Sequence, residues 1–293
     1  MIDCQSSSII ATIQQMSFLF ETPTEPWILP RGTFPSRRKI SHVVFDFDGT
    51  LSLLRQGWPE TMLSMFLELL PAKADESELR RELHTEILNF NGRQTIHQMN
   101  RFAERVAERG GNHESGKSYL KEYSRRLRIG LDQRIERLKT AKYRNDEYLV
   151  FASRAFLEFL RGKGIHLVLL SGTLEAYVRE EAELLGIADY FERGIFGGDE
   201  DPTRFSKEAV FDQILAEDRI HGGALLSFGD GPVEIRAAAE RGGLSVAVAS
   251  DELNNGSGNI DPTKRDVLVD AGAHAVIPDY RNALELVKAI QGE

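Results

Sequence analysis

The chain has 293 residues, of which 41% are hydrophobic and 28% are charged, a composition typical of a globular protein with a sizeable core. The net charge of −9 argues against nucleic acid as a partner, because binding to phosphate backbones needs a basic surface. No apolar run reaches the roughly 18 residues of a membrane helix, and the start lacks the basic segment of a secretory signal. We therefore expect a cytoplasmic protein with no membrane partner.

Residues 1–40 are rich in proline, have no sustained hydrophobic period, and are predicted to form an N-terminal extension. The only cysteine of the chain, Cys4, lies in it, which excludes an internal disulfide and a zinc site made of thiolates. Four apolar residues near its end are expected to pack on the main body: Trp27, Ile28, Leu29 and Phe34.

The stretch HVVFDFDGTLSLL, residues 42–54, begins as a core strand and continues into two carboxylates. Its first part is β-branched and aromatic, as expected of a buried strand. Asp46 and Asp48 at the end of such a strand would be costly to desolvate unless something compensates for their charge. A bound cation is the simplest compensation.

Residues 55–150 contain no clear strand, and their apolar residues recur at helical spacing. Helices are predicted at 60–70, 95–108 and 117–139. This region therefore reads as an all-helical insertion in an α/β protein. It carries a net charge of +3, against −12 for the rest of the chain, which would attract an anionic substrate, although a solvated helical surface explains the same charge equally well.

From residue 151 onward, predicted strands alternate with predicted helices. Strands are expected at 165–171, 224–230, 244–250 and 274–278, and helices at 174–186, 206–217, 232–243, 261–272 and 280–290. The alternation predicts an α/β fold with a doubly wound, mostly parallel, Rossmann-like sheet. We expect residues 41–54 and 151–293 to form this core, with residues 55–150 as a separate helical domain.

Four groups of polar residues fall at predicted strand ends or on a nearby helix, where doubly wound proteins hold their sites. They are Asp46 and Asp48 in DFDGTL, Ser171 and Gly172 in LLSGT, Lys207 in FSKEAV, and Asp230 with Glu234 in FGDGPVE. In this order the set resembles the four motifs of the haloacid dehalogenase superfamily of phosphatases and related hydrolases. The helical insertion lies where that superfamily carries a cap domain.

The resemblance implies a catalytic role for three of these residues. Asp46 would be the nucleophile that forms an aspartyl-phosphate. Asp48 would protonate the leaving oxygen and later deprotonate the attacking water. Lys207 would neutralise charge on both the nucleophile and the phosphate.

The resemblance also implies a magnesium site, because a hard, all-oxygen set of ligands suits Mg²⁺. The ligands would be the Asp46 carboxylate, the backbone carbonyl of Asp48 and the Asp230 carboxylate, with Glu234 nearby or acting through water. Glu234 departs from the motif, in which aspartate is common at this position.

Substrate contacts are predicted on both sides of the site. On the core, the resemblance implies that Ser171, with Gly172 beside it, binds a phosphate oxygen at the start of a helix. Thr50 would shape the turn beside the nucleophile. In the cap, the candidates for substrate contact are Arg55, Trp58, Asn91, Arg93 and Gln94.

The leading functional hypothesis is a Mg²⁺-dependent phosphatase that acts on a small phosphorylated metabolite. Asp48 argues against a dehalogenase, because it is the acid and base that phosphate chemistry needs. No cap lysine stands out as the Schiff-base residue that a phosphonatase would require. A phosphomutase of the β-phosphoglucomutase type and a non-catalytic binding or regulatory protein on the same fold remain alternatives. Neither the metabolite nor the oligomeric state follows from the sequence.

Overall fold

The computed structural model describes residues 27–30, 34, 39–71, 76–112, 114–140 and 146–292. Its centre is a six-stranded, fully parallel sheet. The strands are β1 (His42–Phe45), β2 (His166–Leu174), β3 (Ile195–Gly198), β4 (Leu225–Gly229), β5 (Leu244–Val248) and β6 (Ala275–Ile277). Their order is β3-β2-β1-β4-β5-β6, so the chain reverses direction across the sheet at β1. Sheets of this kind bind ligands at the carboxyl ends of the strands near such a reversal.

Within the described ranges, the first four α-helices after β1 form a cap, and six more belong to the body around the sheet. The cap helices are α1 (Trp58–Leu69), α2 (Glu76–Asn89), α3 (Thr95–Glu108) and α4 (Gly116–Thr140). The body helices are α5 (Ser153–Gly162), α6 (Glu175–Leu184), α7 (Lys207–Glu217), α8 (Pro232–Glu240), α9 (Pro262–Asp270) and α10 (Ala283–Gln291). No helix within the described ranges is long and apolar enough to cross a membrane.

The predicted fold class, a doubly wound parallel sheet with an inserted helical cap, is confirmed. The cap helices fall inside the predicted range 55–150, although the domain boundaries themselves stay predictions. Three elements lacked a sequence prediction: α2, α5 and β3. The strand β3 has only four residues, two of them glycines, and glycine is depleted in strands.

The cap and the body have separate hydrophobic cores. In the cap, the rings of Phe66 and Phe102 stack with their centroids 3.9 Å apart. The helix α4 belongs to both cores, because Tyr123 near its start packs in the cap while Leu131 and Ile135 near its end pack on the body. This single helix of 25 residues therefore ties the cap to the body over the catalytic edge of the sheet.

The described part of the N-terminal extension lies on the body, as the apolar residues predicted. Trp27, Leu29 and Phe34 pack against the main core. Ile28 exchanges two backbone hydrogen bonds of 2.9 Å with Val276 on the edge strand β6. Residues 1–26, 31–33 and 35–38 of the extension lie outside the described residues.

Candidate active site

A cavity of about 540 Å³, open to solvent, lies between the carboxyl edge of the sheet and the cap. The body lines it with Asp46, Asp48, Ser171, Gly172, Thr173 and Lys207. The opposite side of the cavity is formed by the cap and by the segment that leads into it from β1. Its lining residues are Arg55, Trp58, Phe90, Asn91, Gly92, Arg93, Thr95, Gln98, Tyr123 and Leu127. Motifs as far apart in sequence as those of Asp46 and Lys207 thus meet around one space.

Asp46 lies one residue past β1, where the strand carries it to the floor of the cavity. Lys207 reaches it from the first turn of α7, a helix capped by the Ser206 side chain, which accepts from the Ala209 N–H. The Lys207 Nζ donates to Asp46 Oδ1 at 2.7 Å and to Glu234 Oε2 at 2.9 Å. Lysine is almost never fully buried unless it is paired, and Lys207 is buried between two carboxylates.

Burial has the largest single effect on the pKa values of Asp46, Glu234 and Lys207. It raises the pKa of Asp46, and the ammonium of Lys207 only partly opposes this effect. It raises the pKa of Glu234 in the same way. Burial alone would lower the pKa of Lys207, but the two carboxylates raise it above its ordinary value. Lys207 is therefore charged at neutral pH and neutralises part of the site's negative charge.

Asp230 follows β4 and is held from the side of the body opposite to Lys207. The Lys264 Nζ donates to Asp230 Oδ2 at 3.1 Å and to Glu252 Oε1 at 2.5 Å. The other oxygen, Asp230 Oδ1, is buried and has no hydrogen-bond partner among the described residues. Burial raises the pKa of Asp230 to about 7, although Lys264 lowers it. Because buried polar atoms normally have a partner, this unpartnered carboxylate oxygen indicates a site for a cation.

Three carboxylates fit a divalent metal ion at this point. Asp46, Asp230 and Glu234 are all buried, and each offers one oxygen such that the three oxygens lie within 4.8 Å of one another. Hard oxygen donors with a net negative charge are the ligands of Mg²⁺. Glu234 thus belongs to the cluster itself, because its longer side chain reaches as far as the two aspartates. The predicted Asp48 ligand is a backbone carbonyl and stays a prediction.

Asp48 lies across the cavity floor from the metal cluster. Its Oδ2 accepts from Thr173 Oγ1 at 2.9 Å and from Ser171 Oγ at 3.4 Å. Its Oδ1 has no hydrogen-bond partner among the described residues, but the Arg55 Nε lies 3.5 Å away. One oxygen of Asp48 is thereby anchored to the body, and the other lies near the Arg55 guanidinium.

Two of the substrate contacts predicted on the core, Gly172 and Thr50, differ in whether they line the cavity. Gly172 lines the cavity, and the Arg93 carbonyl of the cap approaches it so closely that a Cβ on Gly172 would lie 2.7 Å from that oxygen. Thr50 is fully buried, outside the cavity lining, and its hydroxyl has no hydrogen-bond partner within the described ranges. Its predicted role in shaping the turn is compatible with this position and stays a prediction.

The cap contributes a loop, residues 90–94, that lies directly on the catalytic motifs. The Asn91 Nδ2 donates to the Asp230 carbonyl at 2.9 Å. Gly92 has φ +86°, and a Cβ there would lie 2.7 Å from Glu234 Oε2. The Gln94 side chain makes no cap hydrogen bond to α3 and points to the body, where its nearest acceptors are the Pro202 and Phe205 carbonyls at 3.4 and 3.5 Å. The cap therefore contacts the site directly through this loop.

A family model for haloacid dehalogenase-like hydrolases matches residues 40–242, more than half of the chain. The chain belongs to this family. No curated protein sequence matches it.

Solved structures share the fold of this family member at low sequence identity. A predicted phosphoglycolate phosphatase from Haemophilus somnus 129pt has a TM-score of 0.55 and 17% identity, over 84% of this chain and 97% of that one. A conserved haloacid dehalogenase-like protein of unknown function from Agrobacterium tumefaciens has a TM-score of 0.59 and 17% identity, over 86% and 99%. A candidate β-phosphoglucomutase from Bacteroides vulgatus has a TM-score of 0.56 and 15% identity, over 88% and 93%. At these identities the likeness shows the fold alone.

Some contacts of this hydrolase site were missed from the sequence. Thr173 belongs to the LLSGT motif, but its contact with Asp48 was not predicted. It lies two residues beyond Ser171 on the same strand, so the period of two along a strand places both on one side. Glu181 binds Arg55 from α6. The sequence feature that could have revealed Glu181 is an acid on the buried face of a helix, three residues after the buried Val178. Lys264, which holds Asp230, carries no comparable signal.

Proposed function

We propose that the chain is a Mg²⁺-dependent phosphatase that hydrolyses a small phosphorylated metabolite through an aspartyl-phosphate on Asp46. One observation carries the proposal: the buried Asp46 is bound to Lys207, shares a metal-sized cluster with Asp230 and Glu234, and faces Asp48 in one cavity.

In the first half of the reaction, an Asp46 carboxylate oxygen attacks the phosphorus atom of the substrate. The bond from phosphorus to the ester oxygen breaks, and Asp48 gives its proton to that leaving oxygen. The products of this step are an alcohol and an acyl phosphate on Asp46. Lys207, 2.7 Å from Asp46 Oδ1, stabilises the charge on the nucleophile and on the phosphoryl group.

In the second half, water attacks the phosphorus atom of the aspartyl-phosphate. Asp48, now a carboxylate, takes a proton from that water. The bond from phosphorus to Asp46 breaks, inorganic phosphate leaves, and Asp46 returns as a carboxylate. Thr173 and Ser171 keep Asp48 in place through its Oδ2, so the free Oδ1 can serve as acid and then as base.

Phosphate contacts are proposed for the side chains that line the cavity around Asp46. Ser171 and the backbone at Gly172 would bind a phosphoryl oxygen at the end of β2. Arg93 lines the same cavity, and guanidinium groups suit phosphate oxygens. Arg55 lines it beside Asp48, where it would contact the leaving-group part of the substrate. The Asp46, Asp230 and Glu234 carboxylates, with the Asp48 carbonyl, would hold Mg²⁺. When bound, this ion neutralises charge on the phosphoryl oxygens.

The test is phosphate release from phosphorylated sugars, nucleotides and short phosphorylated acids, with Mg²⁺ and with a chelator. We expect turnover of at least one compound, its loss on chelation, and its return when Mg²⁺ is added. The Asp46→Asn variant should lose roughly 10⁴-fold or more of this activity, because a nucleophile acts as a unit with its acid and base. The exposed Asp270→Asn variant is the matched control and should keep full activity.

The alternatives give other results in the same assay. A phosphomutase would move the phosphoryl group between hydroxyls of a sugar phosphate and release little inorganic phosphate. A binding or regulatory protein would neither release nor transfer phosphate, and its affinity for a partner would survive Asp46→Asn. Either result would contradict the phosphatase proposal. Turnover that persists with chelator would contradict its metal requirement.

A further inference from the structure

Arg55 and Glu181 form an ion pair beside the cavity that the proposed reaction does not yet use. Arg55 lies on the segment that leads from β1 into the cap, and Glu181 lies on α6 of the body. The Arg55 Nη2 donates to Glu181 Oε1 at 2.5 Å, and its Nε donates to Glu181 Oε2 at 3.3 Å. This is a two-point contact between a guanidinium and a carboxylate, which fixes the orientation of the guanidinium plane.

The position of Glu181 is unusual for a glutamate. It is only 3% exposed and lies on the face of α6 that packs into the core next to Val178 and Ala182. A buried ion pair seldom adds stability compared with apolar residues of similar size. The fold alone thus gives no reason for an acid at this position, whereas the cavity does, because Arg55 lines it.

Arg55 is also the nearest cation to the free oxygen of Asp48. Its Nε lies 3.5 Å from Asp48 Oδ1, the buried oxygen that has no hydrogen-bond partner among the described residues. Its Nη1 has no hydrogen-bond partner in the described part of the chain either, and the side chain borders the cavity. Glu181 therefore holds a guanidinium where a leaving-group oxygen would receive its proton.

We propose that Glu181 is a positioning residue, which holds Arg55 at the cavity wall beside Asp48 so that the guanidinium stabilises the negative charge that develops on the leaving oxygen. In this step the O–H bond of Asp48 breaks, the proton joins the leaving oxygen as its bond to phosphorus breaks, and Arg55 keeps all its protons. This inference rests on the proposed phosphatase function. Its consequence is that the contribution of Glu181 depends on how basic the leaving oxygen is.

The experiment compares two aryl phosphates of similar shape, phenyl phosphate and p-nitrophenyl phosphate. Phenolate needs its proton as it leaves, whereas the more acidic nitrophenolate leaves without one. In Glu181→Gln we expect kcat/KM for phenyl phosphate to fall by about 10-fold or more, and kcat/KM for p-nitrophenyl phosphate to fall by less than about 3-fold. The matched control is Glu180→Gln, the same change one residue earlier at an exposed position, which should leave both values unchanged.

A double variant tests whether Glu181 acts through Arg55. Arg55→Ala should show the same selective loss on phenyl phosphate, and adding Glu181→Gln to it should cause no further loss of kcat/KM. A residue that only supports the fold would instead reduce turnover of both esters to the same extent, and its effect would multiply with that of Arg55→Ala. Should Glu181→Gln fail to fold, Arg55→Lys, which keeps the charge but loses the two-point contact, must show the selective loss.

The outcomes separate this inference from the function on which it rests. If the wild-type protein releases no phosphate from either ester or from the panel of metabolites, the proposed function is wrong. If the wild type is active and Glu181→Gln matches Glu180→Gln, the positioning role is wrong and the phosphatase stands. An equal loss on both esters would also contradict it, because the effect would not depend on the leaving group.

Discussion

The two halves of the cavity are built on different principles. On the body side, Asp46, Lys207, Asp230 and Glu234 are buried and bound to charged partners. On the cap side, the wall mixes the aromatic or apolar Trp58, Phe90, Tyr123 and Leu127 with polar side chains. Fixed charges suit stabilisation of a transition state, whereas apolar surface with placed polar groups suits recognition of a particular ligand.

This difference indicates that changes on the two sides of the cavity should have different effects on turnover. A change on the body side should lower the rate with every substrate, because all of them share the phosphoryl group. A change on the cap side should alter the ranking of substrates, because it touches the part that varies among them. The loop of residues 90–94 lies between these cases, because it belongs to the cap but contacts Asp230, Glu234 and Gly172.

The largest effect after loss of the nucleophile is expected for Asp48→Asn. The amide cannot give a proton to the leaving oxygen or take one from water, so turnover of unactivated phosphate esters should fall by about 10² or more. The loss should be similar for all such esters, which a substrate panel measures. A full rate in Asp48→Asn, or a loss confined to one substrate, would contradict the hypothesis that body residues carry out the chemical step.

Gly92→Ala should reduce turnover by about 10-fold to 10²-fold, since a small displacement of reacting groups is costly. The new Cβ would lie 2.7 Å from Glu234 Oε2, in a backbone conformation with φ +86°. The control is Gly110→Ala, where φ is +71° but no atom lies within 4 Å of the added Cβ. Both variants carry backbone strain, so equal turnover in the two would show that the close approach of the loop is unimportant.

Trp58→Ala should have a smaller and more selective effect, because this side chain lines the cap wall and packs on the cap core, away from the body. We expect KM to rise roughly 10-fold for the preferred substrate, with a changed ranking of substrates and little change in the best kcat. Trp27→Ala is the natural comparison, since Trp27 packs on the body core and its loss should lower only the melting temperature. An unchanged ranking in Trp58→Ala would contradict a selective role for the cap.

The smallest effect is expected at the opposite edge of the sheet, where His42 begins β1. Burial lowers the pKa of His42 below 6.5, although Asp218, 3.0 Å from its Nε2, acts in the other direction. On acidification the unfolded chain takes up this proton before the folded chain does, so the free energy of unfolding should fall below about pH 6.5. The fall is on the order of 1 kcal/mol.

Urea unfolding at several pH values measures this fall. It should disappear in His42→Gln and persist in His221→Gln, which alters an exposed histidine. A fall of the same size in His42→Gln would assign the pH dependence to another group. Because His42 lies outside the proposed catalytic site, His42→Gln should change the free energy of unfolding without changing substrate preference.

Much of this architecture could be predicted because its signals are local. The alternation of apolar runs and helical periods after residue 151 predicts the parallel sheet, and the helix of residues 95–108 was predicted with the bounds that the structure has. The missed strand β3 is short and half glycine, and pairing with β2 makes it a strand. A tertiary contact therefore overrides a weak local preference there.

For the site, local patterns predict which residue types reach the carboxyl edge of the sheet: the acids after β1 and β4 and the lysine at the start of α7. Strand ends and helix starts place them there, and these depend on neighbours in the chain. Three contacts became visible only in the folded chain: Glu181 holds Arg55 beside Asp48, Lys264 holds Asp230, and the loop of residues 90–94 contacts Asp230 and Glu234. These contacts join segments that are far apart in sequence, and their partners depend on how helices pack, which no local pattern encodes.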